Sequence, residues 1–80
     1  MNEKKYITTL KVLRAKNDIS LYGLQLKTGL LKSKLFKMEK RNQLDRERYV
    51  DLLVLAEAFN MTIEELIEQN KQDRQETDQQ

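Results

Sequence analysis

The chain has 80 residues, and 39% of them are apolar. This allows one compact domain, near the smallest size at which a hydrophobic core keeps a chain folded without disulfides or metal ions. Cysteine and histidine are both absent, so disulfides, zinc-finger ligation, thiol nucleophiles and imidazole acid–base chemistry are excluded. No apolar run approaches the roughly 18–20 residues of a membrane helix. The charged start over residues 1–5 is unlike a signal peptide. We therefore expect a cytoplasmic protein that makes no membrane contact.

Helical periodicity organises the sequence, because proline is absent and glycine occurs only at Gly23 and Gly29. The first predicted helix ends near residues 16–18, and its apolar stripe consists of Tyr6, Ile7, Leu10 and Leu13. Ser20 is predicted to be the N-cap of a short second helix that carries Leu21, Leu24 and Leu26. Gly29 then supplies the left-handed residue that reverses the chain.

A third helix is predicted over residues 31–40, with Leu35 and Met38 directed inward and the lysines at 32, 34 and 37 on other faces. Asn42 and Asp45 belong to a polar connector. We expect the fourth helix to begin near Asp45 and to carry an apolar stripe made of Tyr49, Leu52, Leu53, Ala56 and Phe59.

Asn60 can end the fourth helix, and residues 62–65 form a capping box between Thr62 and Glu65. This box opens a fifth helix through Leu66 and Ile67. No apolar residue follows Ile67, so we predict a domain over residues 1–68. Residues 69–80 are then a polar tail that is either a frayed continuation of the helix or disordered.

Positive charge is concentrated in the middle of the chain. The net charge is only +2, but residues 21–48 carry eight Lys or Arg and three acids, whereas residues 49–80 carry two basic residues and eight acids. Such an asymmetry can create a positive face that attracts phosphate on a nearly neutral molecule.

The third helix is also predicted to project from the domain. It follows a short second helix and a turn at Gly29, and this arrangement leaves the third helix projecting. A projecting helix fits a major groove.

Further residues occur in a characteristic order between positions 10 and 67. They are Leu10-Lys11-Val12-Leu13-Arg14, Ile19-Ser20, Leu24, Thr28-Gly29-Leu30, Leu35, Glu39, Leu52-Leu53, Ala56, Phe59-Asn60-Met61 and Glu65-Leu66. In this order and spacing the chain resembles the lambda-repressor-like Cro/CI domains, also called the XRE family. The resemblance implies an all-α, compact five-helix helix-turn-helix domain that binds double-stranded DNA.

The resemblance also implies that residues 31–40 form the recognition helix, in which Lys32, Ser33 and Lys37 read base edges. Lysine can bond the O6 and N7 acceptors of guanine, so we expect guanine-containing half-sites. Phe36 lies beside them and could contact a thymine methyl group or a protein partner. In an arbitrary helix such lysines more often form a solvated face, and it is the scaffold that favours binding.

The remaining predicted contacts go to the DNA backbone. Lys34, Lys40 and Arg41 would add salt-dependent affinity without sequence information, and Ser20 would lie near a phosphate in addition to its capping role. By resemblance, an ion pair between Arg14 and Glu39 is expected to brace the recognition helix.

The chain departs from the family pattern at several positions. Leu21 replaces a common phosphate-binding glutamine, Gln25 replaces a small residue, and Leu31 occupies the usual Ser or Thr cap of the recognition helix. Gly23 weakens its helix by roughly 1 kcal/mol.

Two functions remain open. The first is a transcriptional regulator, a Cro/CI-like repressor that binds as a homodimer to half-sites about 34 Å apart. Its dimer contact is expected at Met61, Ile63 and Ile67. By analogy with Cro-like switch components, we expect the protein to come from a phage or other mobile element. The second is a protein-interaction adaptor or anti-repressor whose apolar contact surface consists of Leu21, Leu31 and Phe36. Because neither a nucleophile with a base nor a metal-ligating cluster can be identified, we expect no enzyme, no cofactor, no metal and no small-molecule substrate.

Overall fold

The computed structural model describes residues 8–78, and the side chains of residues 8–75. This part of the chain contains no strand, and its helices are α1 (Thr9–Lys16), α2 (Leu21–Thr28), α3 (Lys32–Arg41), α4 (Tyr49–Ala58) and α5 (Ile63–Asp78). One 3-10 turn, Leu44–Arg46, lies between α3 and α4. The predicted all-α, five-helix class is confirmed. Two residues of the predicted first stripe, Tyr6 and Ile7, lie outside the described residues.

Local capping sets the ends of the first two helices. α1 ends at Lys16, as predicted, and the Ser20 hydroxyl accepts a hydrogen bond from the Gly23 N–H at 2.9 Å. Gly29 has φ +81°, a left-handed conformation that residues with a Cβ adopt only at a cost. Both predicted signals of the helix-turn-helix unit, the cap at Ser20 and the reversal at Gly29, are therefore confirmed.

Gly23 lies inside α2 because the Ile19 side chain occupies the space beside it. A Cβ placed on Gly23 would lie 2.9 Å from Ile19 Cγ1, closer than side chains tolerate. Ile19 itself packs against the core from the turn that precedes α2. The loss of helix propensity at Gly23 therefore accompanies a close contact between this turn and α2.

The fourth helix differs from its prediction. α4 begins at Tyr49 and not near Asp45, because residues 44–46 form the 3-10 turn that carries the fully buried Leu44. Tyr49 is 69% exposed and Leu53 37% exposed, so neither belongs to the core stripe. The stripe of α4 that packs inward consists of Leu52, Leu55, Ala56 and Phe59. It fits helical spacing as well as the predicted stripe does.

One cluster of side chains forms the core, and every described helix contributes to it. Its fully or largely buried members are Leu10, Leu13, Leu24, Leu35, Met38, Leu44, Leu52, Leu55, Ala56, Phe59 and Leu66. The inward direction predicted for Leu35 and Met38 is confirmed, since neither is exposed. The Cα radius of gyration is 11.9 Å. None of the helices within residues 8–78 has the length and apolarity to cross a membrane.

The capping box at the start of α5 is present in full. The Thr62 N–H donates to Glu65 Oε1 at 2.9 Å, and the Glu65 N–H donates to Thr62 Oγ1 at 3.0 Å. α5 then continues to Asp78. Asn70 lies in the predicted polar tail, yet it is only 1% exposed. The domain boundary at residue 68 stays a prediction.

Asn70 is buried because its amide is satisfied by a polar network. Its Nδ2 donates to Thr9 Oγ1 at 2.9 Å and to Asn42 Oδ1 at 3.0 Å, and its Oδ1 accepts from the Leu44 N–H at 3.0 Å. The Thr9 hydroxyl in turn donates to Asp73 Oδ2 at 2.8 Å. A buried polar group with its partners in place avoids the cost of desolvation. The network joins α5 to the start of α1 and to the end of α3.

Candidate nucleic-acid interface

α3 is held by its inward face and leaves the opposite face open. Leu35, Met38 and Glu39 are buried along one side of the helix. With about 3.6 residues per turn, Ser33, Lys37 and Lys40 lie at the centre of the other side, and all three are exposed. Lys32 and Phe36 flank this centre on one edge, whereas Lys34 and Arg41 flank it on the other.

An ion pair fixes α3 relative to α1. Arg14 Nε donates to Glu39 Oε2 at 2.9 Å, and Arg14 Nη2 donates to Glu39 Oε1 at 3.3 Å. The two side chains are only 19% and 8% exposed. Such a two-point contact between a guanidinium and a carboxylate fixes orientation as well as distance. The predicted brace of the third helix is therefore confirmed.

The three side chains predicted to read bases are accessible. Lys32, Ser33 and Lys37 are all exposed, and no ion pair found among the described side chains involves either lysine. Phe36 is 48% exposed, and Lys40 Nζ lies 5.5 Å from the centre of its ring. This distance allows a cation–π contact that orders two exposed side chains. The arrangement offers an accessible polar and cationic surface with one aromatic ring in it.

Lys34, by contrast, is paired with a carboxylate of α4. Its Nζ lies 3.0 Å from Asp51 Oδ2, and the Asp51 side chain is only 5% exposed. Asp51 Oδ2 accepts no hydrogen bond of good geometry among the described residues, so we regard the contact as mainly Coulombic. Asp51 also lies in the first turn of α4, where the helix dipole favours a negative charge.

Arg41 is also paired, through hydrogen bonds, with the connector before α4. Its Nε and Nη2 donate to the Glu47 carboxylate at 3.0–3.1 Å, and the Glu47 side chain is 8% exposed. Of the three cations proposed for the DNA backbone, Lys34 and Arg41 thus already have protein partners. With respect to the described side chains, the unpaired positive charge of α3 is concentrated at Lys32, Lys37 and Lys40.

A contact between α2 and α3 does not follow from helical periodicity. Gln25 Oε1 accepts a hydrogen bond from the Lys32 N–H at 2.6 Å. Leu31, which precedes the helix, offers no side-chain acceptor of its own. Two features of the sequence indicate this contact. One is the apolar Leu31 at the cap position, and the other is Gln25, whose long amide side chain lies seven residues before Lys32.

Comparison with known proteins agrees with this geometry. Residues 9–72 match the family model described as the Cro/C1-type HTH DNA-binding domain. No curated protein and no solved structure matches the chain.

Proposed function

Because the chain belongs to the Cro/C1-type helix-turn-helix family of DNA-binding domains, we propose that it is a repressor that reads the major groove of double-stranded DNA with α3. Family membership supports a DNA-binding regulator in general terms, and a non-enzymatic one. The finer proposal rests on one observation, the open cationic face of α3 opposite the buried Leu35 and Met38. A helix exposed in this way can enter a groove without disturbing its own packing.

Lys32, Ser33 and Lys37 are the base-reading residues of this proposal. Each lysine can donate to O6 and N7 of guanine, and serine can donate or accept. Phe36 lies within the same exposed surface and is suited to contact a thymine methyl group. The ammonium group of Lys40 lies over the Phe36 ring. In this proposal Lys40 and Ser20, at the start of α2, lie near the DNA backbone.

Lys34 and Arg41 retain a smaller part in the proposal. Their partners Asp51 and Glu47 are almost fully buried, so the ion pairs do not open without cost. A phosphate beside either cation also meets the field of the neighbouring carboxylate. We therefore assign most of the phosphate attraction to Lys32, Lys37 and Lys40.

Two copies of the chain are proposed to bind successive major grooves about 34 Å apart. Met61, Ile63 and Ile67 remain the proposed dimer contact, although each already packs partly against its own core. A cytoplasmic location and an origin in a phage or other mobile element complete this proposal.

The test is a fluorescence titration of labelled genomic fragments at several salt concentrations. A regulator binds one fragment tightly, and its affinity falls steeply as salt rises because phosphate contacts release counterions. Lys32→Ala with Lys37→Ala should abolish discrimination between fragments and leave the helical circular-dichroism signal unchanged. The matched control replaces Lys16 and Lys71, which are exposed on α1 and α5, and removes the same charge.

A protein-interaction adaptor is the second candidate, and two exposed side chains favour it. Leu31 is 66% exposed and Phe36 48% exposed, on the same helix-turn-helix unit. Leu21, the third residue proposed for this surface, packs partly against the core. A weak response that is equal on all fragments and unchanged by the lysine substitutions would favour the adaptor over the repressor.

A further inference from the structure

α3 begins without a cap of its own. The first N–H groups of a helix have no partner within the helix, and a Ser, Thr, Asp or Asn at the N-cap usually supplies one. Leu31 occupies this position with an extended backbone and no side-chain hydrogen bond. An uncapped first turn would fray, and this turn carries Lys32 and Ser33.

Gln25 supplies the missing acceptor from the neighbouring helix. Its Oε1 lies 2.6 Å from the Lys32 nitrogen, and its side chain is partly buried between the two helices. A short side chain at position 25 would not span this distance. The same amide therefore satisfies the start of α3 and adds a polar contact to the packing of α2 against α3.

We propose that Gln25 is a positioning residue that caps α3 from α2 and holds its first turn in the geometry needed to discriminate between base pairs. This inference rests on the proposed function. It also explains why two departures from the family pattern occur together, because the acceptor lost at Leu31 is regained at Gln25. Gln25 itself makes no contact with DNA in this proposal.

The first experiment needs no DNA. Hydrogen exchange measured by NMR follows the Leu35 amide, whose bond to the Leu31 carbonyl at 2.9 Å closes the first turn of α3. In Gln25→Ala its exchange should accelerate about fivefold, the effect of losing an ordinary cap. Gln25→Glu keeps an acceptor beside the helix N-terminus and should leave exchange near the wild-type rate.

A rescue variant separates capping from general damage. Leu31→Ser gives α3 a local hydroxyl cap, so adding it to Gln25→Ala should restore slow exchange at Leu35. Leu31 is mostly exposed, and its replacement therefore removes little buried surface. Gln75→Ala, an exposed position on α5, is the matched control and should change nothing.

The second experiment measures discrimination with the same four variants. The readout is the ratio of affinities for the preferred fragment and for an unrelated fragment of equal length. Gln25→Ala should reduce this ratio about fivefold, in proportion to the lost cap. The double variant should recover it, and the steepness of the salt dependence should be the same in the three variants that leave the net charge unchanged.

Different failures have different meanings. Unchanged Leu35 exchange in Gln25→Ala overturns the cap, and faster exchange with an unchanged affinity ratio overturns the positioning role. A wild-type chain that prefers no fragment refutes the proposed function and the positioning role with it. The exchange measurement still decides the cap in that case.

Discussion

Single residues differ in how far their roles can be recognised from the sequence. Ser20, Gly29 and Thr62 act on backbone groups within a few positions of themselves, so their capping roles were predictable and are confirmed. The burial of Asn70 does not follow from the sequence, because its partner Thr9 lies 61 positions away. A polar side chain indicates burial only when its partners are known, and those depend on the complete fold.

Gly29 gives the first prediction at this scale. A Cβ at Gly29 would meet nothing within 4 Å, so the cost of Gly29→Ala comes only from the left-handed backbone. We expect a loss of about 1 kcal/mol in the free energy of unfolding, measured by urea denaturation. Gly29→Asn should lose less, since asparagine tolerates this conformation. Equal losses in both variants would contradict the explanation.

Asn70 gives the second. Asn70→Leu keeps a similar volume but leaves Thr9, Asn42 and the Leu44 N–H without their amide partner. The expected loss is about 3 kcal/mol in the free energy of unfolding, because several buried polar groups lose a hydrogen bond. Lys71→Leu, at the exposed neighbouring position, serves as the control and should stay within about 0.5 kcal/mol of the wild type.

Helices and their ends carry most of the remaining differences. The number of helices and the inward residues of α3 follow from periodicity and agree with the structure. The start of α4 does not, since Leu44 is buried by a 3-10 turn and Asp51 is buried through its contact with Lys34. Leu44 depends on the position of α5, whose Asn70 accepts a hydrogen bond from the Leu44 N–H, and Asp51 depends on the position of α3. A local pattern contains neither position.

A prediction at the scale of the helix ends concerns Glu47. Glu47→Gln weakens the pair with Arg41 and makes that guanidinium available to a phosphate. The slope of the logarithm of DNA affinity against the logarithm of salt concentration should steepen by about 0.9, the value for one added contact. Glu57→Gln, exposed on α4, changes the charge equally and should leave the slope unaltered. An identical steepening in both variants would show a general charge effect instead.

The extent of the whole domain can be tested by truncation. A chain that ends at residue 68 matches the predicted domain but lacks Asn70 and Asp73, which both form hydrogen bonds with the Thr9 hydroxyl. We expect it to unfold at a clearly lower urea concentration than a chain that ends at residue 75. Coincident unfolding curves would support the boundary at residue 68. The family match itself covers residues 9–72.

The two buried carboxylates beside α3 make the distribution of charge over the surface of the molecule uneven. Asp51 and Glu47 cancel charge along one flank of the helix, while Lys32, Lys37 and Lys40 keep theirs. A polyanion in solution is drawn by the uneven field towards the uncancelled side before any atoms touch. A larger share of encounters would therefore occur with the uncancelled side of α3 facing the polyanion, which raises the rate of productive association.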